Sequence, residues 1–225
     1  MLSADSSPPI SQALCEDAPE LSTTQLEELT RYRVPAPPTA GSDAPSCGGL
    51  LAEPFDMLVA LRAEGADATH PEVARLWRLK RCVELLAQRV GCEWLGVYRK
   101  TEGLACGDAG VVLLKEAYVG RPSRATFPLT DEFAKNSNNS KVGLTKQAVL
   151  VDDVAAHAGP YYQCDADVRS EYCAPIVRDD GTGGELLGII DAEAFAPNFF
   201  TPDRCALIDE ACVALAASGL MRGQP

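Results

Sequence analysis

The stretch Tyr172–Ala194, YCAPIVRDDGTGGELLGIIDAEA, decides the fold. Two β-rich runs, Tyr172–Arg178 and Glu185–Ala194, are separated by the DDGTGGE segment, Asp179 to Glu185, whose residues favour turns. The two runs are therefore read as the antiparallel strands of a hairpin. Upstream the same texture recurs in Glu93–Arg99, Val111–Val119, Ala125–Leu129 and Ala148–Val151, broken by Gly, Asn and Asp clusters. A mainly antiparallel sheet of about five or six strands follows. Helical periodicity brackets it. His70-Pro71 opens a run through Val73, Leu76, Trp77, Val83, Leu86 and Val90 that should stop at Gly91. Thr201-Pro202 opens a second, through Leu207, Ile208, Cys212, Leu215 and Leu220, with Thr as N-cap. Helix, sheet, helix predicts an α+β sandwich with helices on one face.

The remainder of the chain reads differently. Residues 1–48 hold seven of the sixteen prolines, many serines and one short helical candidate, Thr23–Tyr32, and are read as a Pro/Ser-rich, partly disordered extension. Residues 49–69, with a helix over Pro54–Ala63, form a connector to the main domain at 70–225. A chain of 225 residues is long enough for one well-buried core, not two large ones. The net charge of −12 disfavours partners read through phosphates, so neither nucleic acid nor an anionic membrane is expected. No apolar stretch approaches a membrane span and the start, MLSADSSPP, lacks a signal pattern, so a cytoplasmic protein is expected. Nine cysteines without CxxC spacing read as free thiols, and two histidines far apart, His70 and His157, give no basis for a metal site.

Three constellations carry chemistry. Alternation along Glu93–Tyr98 puts Trp94, Gly96 and Tyr98 on one face, with Gly96 leaving a gap between two aromatics that fits a small apolar group. Simple core packing of both rings is the competing reading. Alternation also puts Asp191 and Glu193 together on an otherwise apolar strand, where they need a cation, donors or a proton, unless the strand end reaches solvent. Glu171 can point into the same space, and three carboxylates suit a small cation such as an amino-acid ammonium. Finally, Cys164 lies in a polar stretch just before Glu171, where a thiol reacts more readily than in an apolar helix. Arg169 would lower its pKa, and Asp165 and Asp167 would raise it.

At these residues the chain resembles the free methionine-(R)-sulfoxide reductases, a branch of the GAF-domain family. The resemblance rests on the E-W-L-G-V-Y strand, the Gly120-Arg121-Pro122 turn, Val149–Val154, Cys164-Asp165 through Ser170-Glu171, and Gly188-Ile189-Ile190-Asp191-Ala192-Glu193. These motifs occur in the family's order over about Trp77 to Leu215. The resemblance implies a GAF-type domain reducing free L-methionine-(R)-sulfoxide. Cys164 would be the nucleophile and pass through a sulfenic acid, with Glu171 or Asp191 as proton donor. Trp94 and Tyr98 would enclose the methyl-sulfoxide end, while Glu171, Asp191 and Glu193 hold the amino group. No bound cofactor or metal is implied; the reductant would be an external thiol, thioredoxin-like or small.

Two departures from the family pattern stand out. The family's further cysteines are replaced by Arg124 and Ala134, the second within a polar insert, Asp131–Ser140. Its Gly-His before Cys-Asp is replaced by Pro160-Tyr161. Cys173, which shares a strand face with Glu171, and then Cys106 become the candidate resolving thiols. The alternative reading is a non-catalytic GAF module that binds an amino-acid-like ligand or mediates dimerisation; a homodimer is left open under either.

Overall fold

The computed structural model describes residues 9–36, 49–104, 110–163 and 165–222. In chain order, α1 (Ile10–Ala13), α2 (Thr23–Thr30), β1 (Arg31–Tyr32), β2 (Phe55–Asp56) and α3 (Met57–Ala60) lead to the long helix α4 (Pro71–Val90). Then come β3 (Trp94–Glu102), β4 (Val111–Val119), β5 (Thr126–Pro128), α5 (Asp131–Ala134) and α6 (Asn138–Thr145). The chain closes with β6 (Val149–Val151), β7 (Ser170–Arg178), β8 (Glu185–Ala194) and α7 (Pro202–Ser218). The six strands β3 to β8 form one antiparallel sheet of order β5-β4-β3-β8-β7-β6, and β7 and β8 are the expected hairpin.

Local chemistry sets the ends of α4. Pro71 occupies the first turn, His70 Nδ1 accepts from the Glu72 amide at 3.2 Å, and Gly91 closes the helix in the left-handed region at φ 77°. Helix α7 also opens on a proline, but Thr201 at its cap position makes no side-chain hydrogen bond, so the expected Thr cap supplies only backbone geometry. The segment Asp131–Ser140, read from sequence as a polar insert, holds α5 and the start of α6. Thr130 caps α5 by accepting from Phe133 N, and Ser137 caps α6 by accepting from Ser140 N.

Alternation along β3 gives the sheet two dissimilar faces. Leu95 and Val97 point toward α4 and α7, packing with Leu79, Val83, Leu86, Ile190, Ala192, Ile208 and Leu215. Ile10 and Leu14 of the N-terminal segment are buried in that same core. Trp94 and Tyr98 point the other way, into a smaller cluster with Leu113, Phe127, Val142, Cys173 and Ile189 that α5 and α6 help to cover. An irregularity in register between Val97 and Tyr98 sets Tyr98 opposite Lys115. Glu116, next in sequence, meets Arg75 of α4 at 2.6 Å and Arg99 at 2.7 Å in a buried ion network. Burial alone would raise the Glu116 carboxyl; the charges of Arg75 and Arg99 hold it below its ordinary value. Among the described residues no helix is long and apolar enough to cross a membrane.

Candidate functional site

Register on the face away from α4 and α7 builds the site. Trp94 lies opposite Glu193, which lies opposite Glu171; in the next row Gly96 lies opposite Asp191, which lies opposite Cys173. Directly paired residues share a face, so these side chains gather over three adjacent strands. Glu171, Asp191 and Glu193 are 3%, 4% and 7% exposed, which rules out a strand end that reaches solvent.

Much of the cover comes from residues that sequence reasoning passed over. Asn138 and Asn139 open α6 and point their amides down: Asn138 Nδ2 donates to Glu171 Oε2 at 3.0 Å, and Asn139 Nδ2 to Asp191 Oδ2 at 2.9 Å. The acids thus sit beside the N-terminal turn of a helix, where its dipole favours negative charge. The Tyr161 hydroxyl also donates to Glu171. Asp191 Oδ1, though buried, has no hydrogen-bond partner among the described residues. Burial pushes the Glu171 carboxyl up, against the opposing bonds from Tyr161 and Asn138. Asp191 is pushed well above the carboxylate range by burial and then by the Glu171 charge, while Asn139 and Lys115 oppose the shift. The Cys173 thiol is likewise raised by burial and by the facing Asp191 and Glu171. Two like charges this close favour one retained proton on the pair.

The aromatic side is more tightly filled than the sequence suggested. A methyl group added at Gly96 would fall inside the Trp94 indole, so the glycine does not leave an open gap: it lets the indole lie flat over the strand. Trp94 stands 6.3 Å from Tyr98 and 6.2 Å from Tyr118, and its Nε1 donates to the Arg121 carbonyl at 3.0 Å. Lys115, fully buried, donates to Ser123 Oγ at 2.6 Å and lies 4.0 Å from the centre of the Tyr118 ring. A lysine in the middle of the apolar run VVLLKEAYV was the signal that this strand faces something polar.

Cys164 and Cys106 lie outside the described residues, but the flanks of Cys164 are placed. Arg121, in the Gly120-Arg121-Pro122 turn beneath Trp94, binds Asp165 at 2.9 Å and Asp167 at 2.6 Å. The Tyr162 amide donates to the Asn136 carbonyl at 2.8 Å, and its ring lies 5.9 Å from Phe127. The segment carrying Cys164 is therefore tied on one side to the turn under Trp94 and on the other to the α5–α6 cover. Arg169 pairs with Asp153 at 3.0 Å. Arg124 stacks 4.8 Å from Phe133 and donates to the Tyr162 hydroxyl at 3.1 Å. Cys173 is fully buried on the face of Glu171, as the strand period requires.

A curled antiparallel sheet carries long helices on one face and a roofed cluster of buried polar groups on the other, an α+β architecture. The chain belongs to the GAF domain family, whose model matches residues 78–220. Solved structures similar in fold include the type II free methionine-R-sulfoxide reductase from Thermoplasma acidophilum. It is 21% identical, with a TM-score of 0.54, over 67% of this chain and 94% of that one. Free methionine-R-sulfoxide reductase from Neisseria meningitidis, in complex with its substrate, is 20% identical with a TM-score of 0.52, over 65% and 78% of the two chains. The GAF domain from Acinetobacter phosphoenolpyruvate-protein phosphotransferase is 14% identical with a TM-score of 0.50, over 65% and 81%. At these identities the likeness is one of fold, and it extends to enzymes and other GAF domains alike. No curated protein matches the chain in sequence.

Proposed function

We propose that the chain is a thiol-dependent reductase of free L-methionine-(R)-sulfoxide. The observation that carries this reading is the gathering of Glu171, Asp191 and Glu193 on one buried face beside Trp94, with the flanks of Cys164 tied to the same rim. Buried carboxylates suit an ammonium group, and the Trp94–Tyr98 wall suits the methyl-sulfur end. In this reading the Cys164 thiolate attacks the sulfoxide sulfur while the protonated member of the Glu171–Asp191 pair gives its proton to the sulfoxide oxygen. The oxygen ends on the Cys164 sulfur as sulfenic acid, and methionine leaves as the thioether. A second thiol then reduces the sulfenic acid, releasing water and forming a disulfide. Cys173 faces the site but holds its proton tightly, so an external thiol, small or thioredoxin-like, is the better reductant.

One observation favours a second reading, a module that binds an amino-acid-like ligand without turnover. The position expected to hold a further thiol is Arg124, which is committed to an aromatic cluster. Single turnover separates the two. Stoichiometric reduced protein mixed with free L-methionine-(R)-sulfoxide should release about one equivalent of methionine, and Cys164→Ser should release none. Binding of the sulfoxide without methionine release would establish the module and refute the reductase.

A further inference from the structure

The cluster at the centre of the site holds more than an ammonium requires. A Glu171 carboxylate oxygen, Cys173 Sγ and an Asp191 carboxylate oxygen all lie within 4.8 Å of one another, and all three residues are buried. We propose that Glu171, Cys173 and Asp191 form a binding site for a thiophilic divalent cation of the zinc type. Zinc takes carboxylate oxygen at about 2.0–2.2 Å and cysteine sulfur at about 2.3 Å in a tetrahedron, which sets ligand atoms roughly 3.3–3.8 Å apart.

Three further features fit a cation here. Asp191 Oδ1 is buried without a partner among the described residues, so it offers a lone pair that no donor uses. The Glu171 oxygen held by Asn138 is Oε2, and such a bond fixes the orientation of a ligating carboxylate. Charge also argues for a cation: Glu171, Asp191 and Glu193 are buried together on one face. A thiol among the ligands selects against magnesium and calcium, which take oxygen donors. A cavity of about 480 Å³ between α5–α6 and residues 157–160 has Asn138 in its wall, and the same Asn138 amide covers Glu171.

On binding, the Cys173 thiol loses its proton and its sulfur bonds to the metal; no electron changes hands. The metal site stands on the geometry of the cluster alone. A metal on Glu171 and Asp191 would take the place of a substrate ammonium, and that consequence rests in addition on the proposed function.

Cobalt(II) titration of the reduced, metal-free full-length chain tests the site. One equivalent should bind with tetrahedral visible bands and a thiolate-to-cobalt charge-transfer band in the near ultraviolet. Cys173→Ala should remove the charge-transfer band, Asp191→Asn should weaken binding by about tenfold or more, and Cys212→Ala should leave both unchanged. Should the Cys173 variant fail to fold, alkylation mapping on the wild-type protein decides the matter, because zinc(II) should protect Cys173 from the reagent in partly opened protein. Absence of the charge-transfer band, its survival in Cys173→Ala, or unprotected Cys173 would each overturn the proposal. Spectra and protection need no turnover. Methionine release without a cobalt band therefore defeats only the metal site, and a band without methionine release defeats only the reductase.

Discussion

Replacing Asp191 by Asn should make the protein more stable and its site worse at binding. In the wild-type protein Asp191 Oδ2 accepts from Asn139 at 2.9 Å, while Oδ1 is buried and unpartnered beside Glu171 and Cys173. An asparagine of the same shape keeps its oxygen on Asn139 and turns its NH2 toward Glu171. The cost of holding a proton on the buried Glu171–Asp191 pair is thereby replaced by a hydrogen bond to a charged group, worth about 1.5–3 kcal/mol. For a chain of this size such a gain should raise Tm by roughly 3–12 °C, taking about 2–4 °C per kcal/mol. The same change removes a charge-assisted bond to a ligand ammonium and should weaken amino-acid binding by about 10- to 150-fold.

The pH dependence gives the sharper test. Asp191 has its folded pKa raised well above the ordinary value, so the folded state holds a proton that the unfolded state gives up first. The stabilisation is complete below the unfolded value of about 3.9 and is lost as pH rises toward the folded pKa, at up to about 1.4 kcal/mol per pH unit. The gap between Asp191→Asn and wild type should therefore be smallest near about pH 4 and open as pH increases. Differential scanning fluorimetry between pH 4 and pH 8, with a chelator present to keep the site metal-free, reads it directly. A variant less stable than wild type at neutral pH, or a gap that narrows with rising pH, would show that Asp191 is a satisfied structural carboxylate and refute the reasoning.

Two other changes test the neighbouring parts. Gly96→Ala puts a methyl group into the Trp94 indole and should cost about 1–3 kcal/mol, with a red-shifted tryptophan emission as the ring tilts out; unchanged emission and Tm would mean that the gap is open after all. Arg121→Ala should leave Tm nearly unchanged because Arg121 is exposed. It also leaves Asp165 and Asp167 uncompensated beside Cys164, so alkylation of Cys164 should slow several-fold by mass-spectrometric mapping. Equal or faster alkylation would show that Arg121 does not influence Cys164.

The hairpin Tyr172–Ala194 and the strand Val111–Val119 were legible because burial on one or both faces imposes a pattern on local sequence. Helix α4 was legible because its proline start and glycine stop are backbone requirements that few residues meet. The acid face was legible too, since a period of two places Asp191 and Glu193 together whatever lies opposite. What lies opposite was not. Cys173 faces Asp191 only through the hairpin register, and the spacing of a turn does not fix register to the residue. The roof was lost for another reason. Asn138 and Asn139 act as long-range donors across 33 and 52 residues, and a run of asparagines looks the same whether it caps a site or meets solvent. The reading of Gly96 failed because an absent side chain was taken for space, whereas a neighbouring indole occupies it.

The energetics of the roofed face bear on why it is built this way. Cys173 and Ile189 belong to an apolar cluster, and apolar residues in place of Glu171 and Asp191 would extend it with no desolvation cost. A fully bonded polar network would also be stable, and Asn138, Asn139 and Tyr161 supply much of one. The actual arrangement is neither: two coupled acids, a thiol held protonated between them and one orphaned carboxylate oxygen. A half-satisfied buried network is less stable than either alternative. Asp191 Oδ1 has no hydrogen-bond partner among the described residues, and either proposed occupant, an amino-acid ammonium or a divalent cation, would supply one. The two differ in whether Cys173 loses its proton, so the state of that one thiol decides which of them the site was shaped to hold.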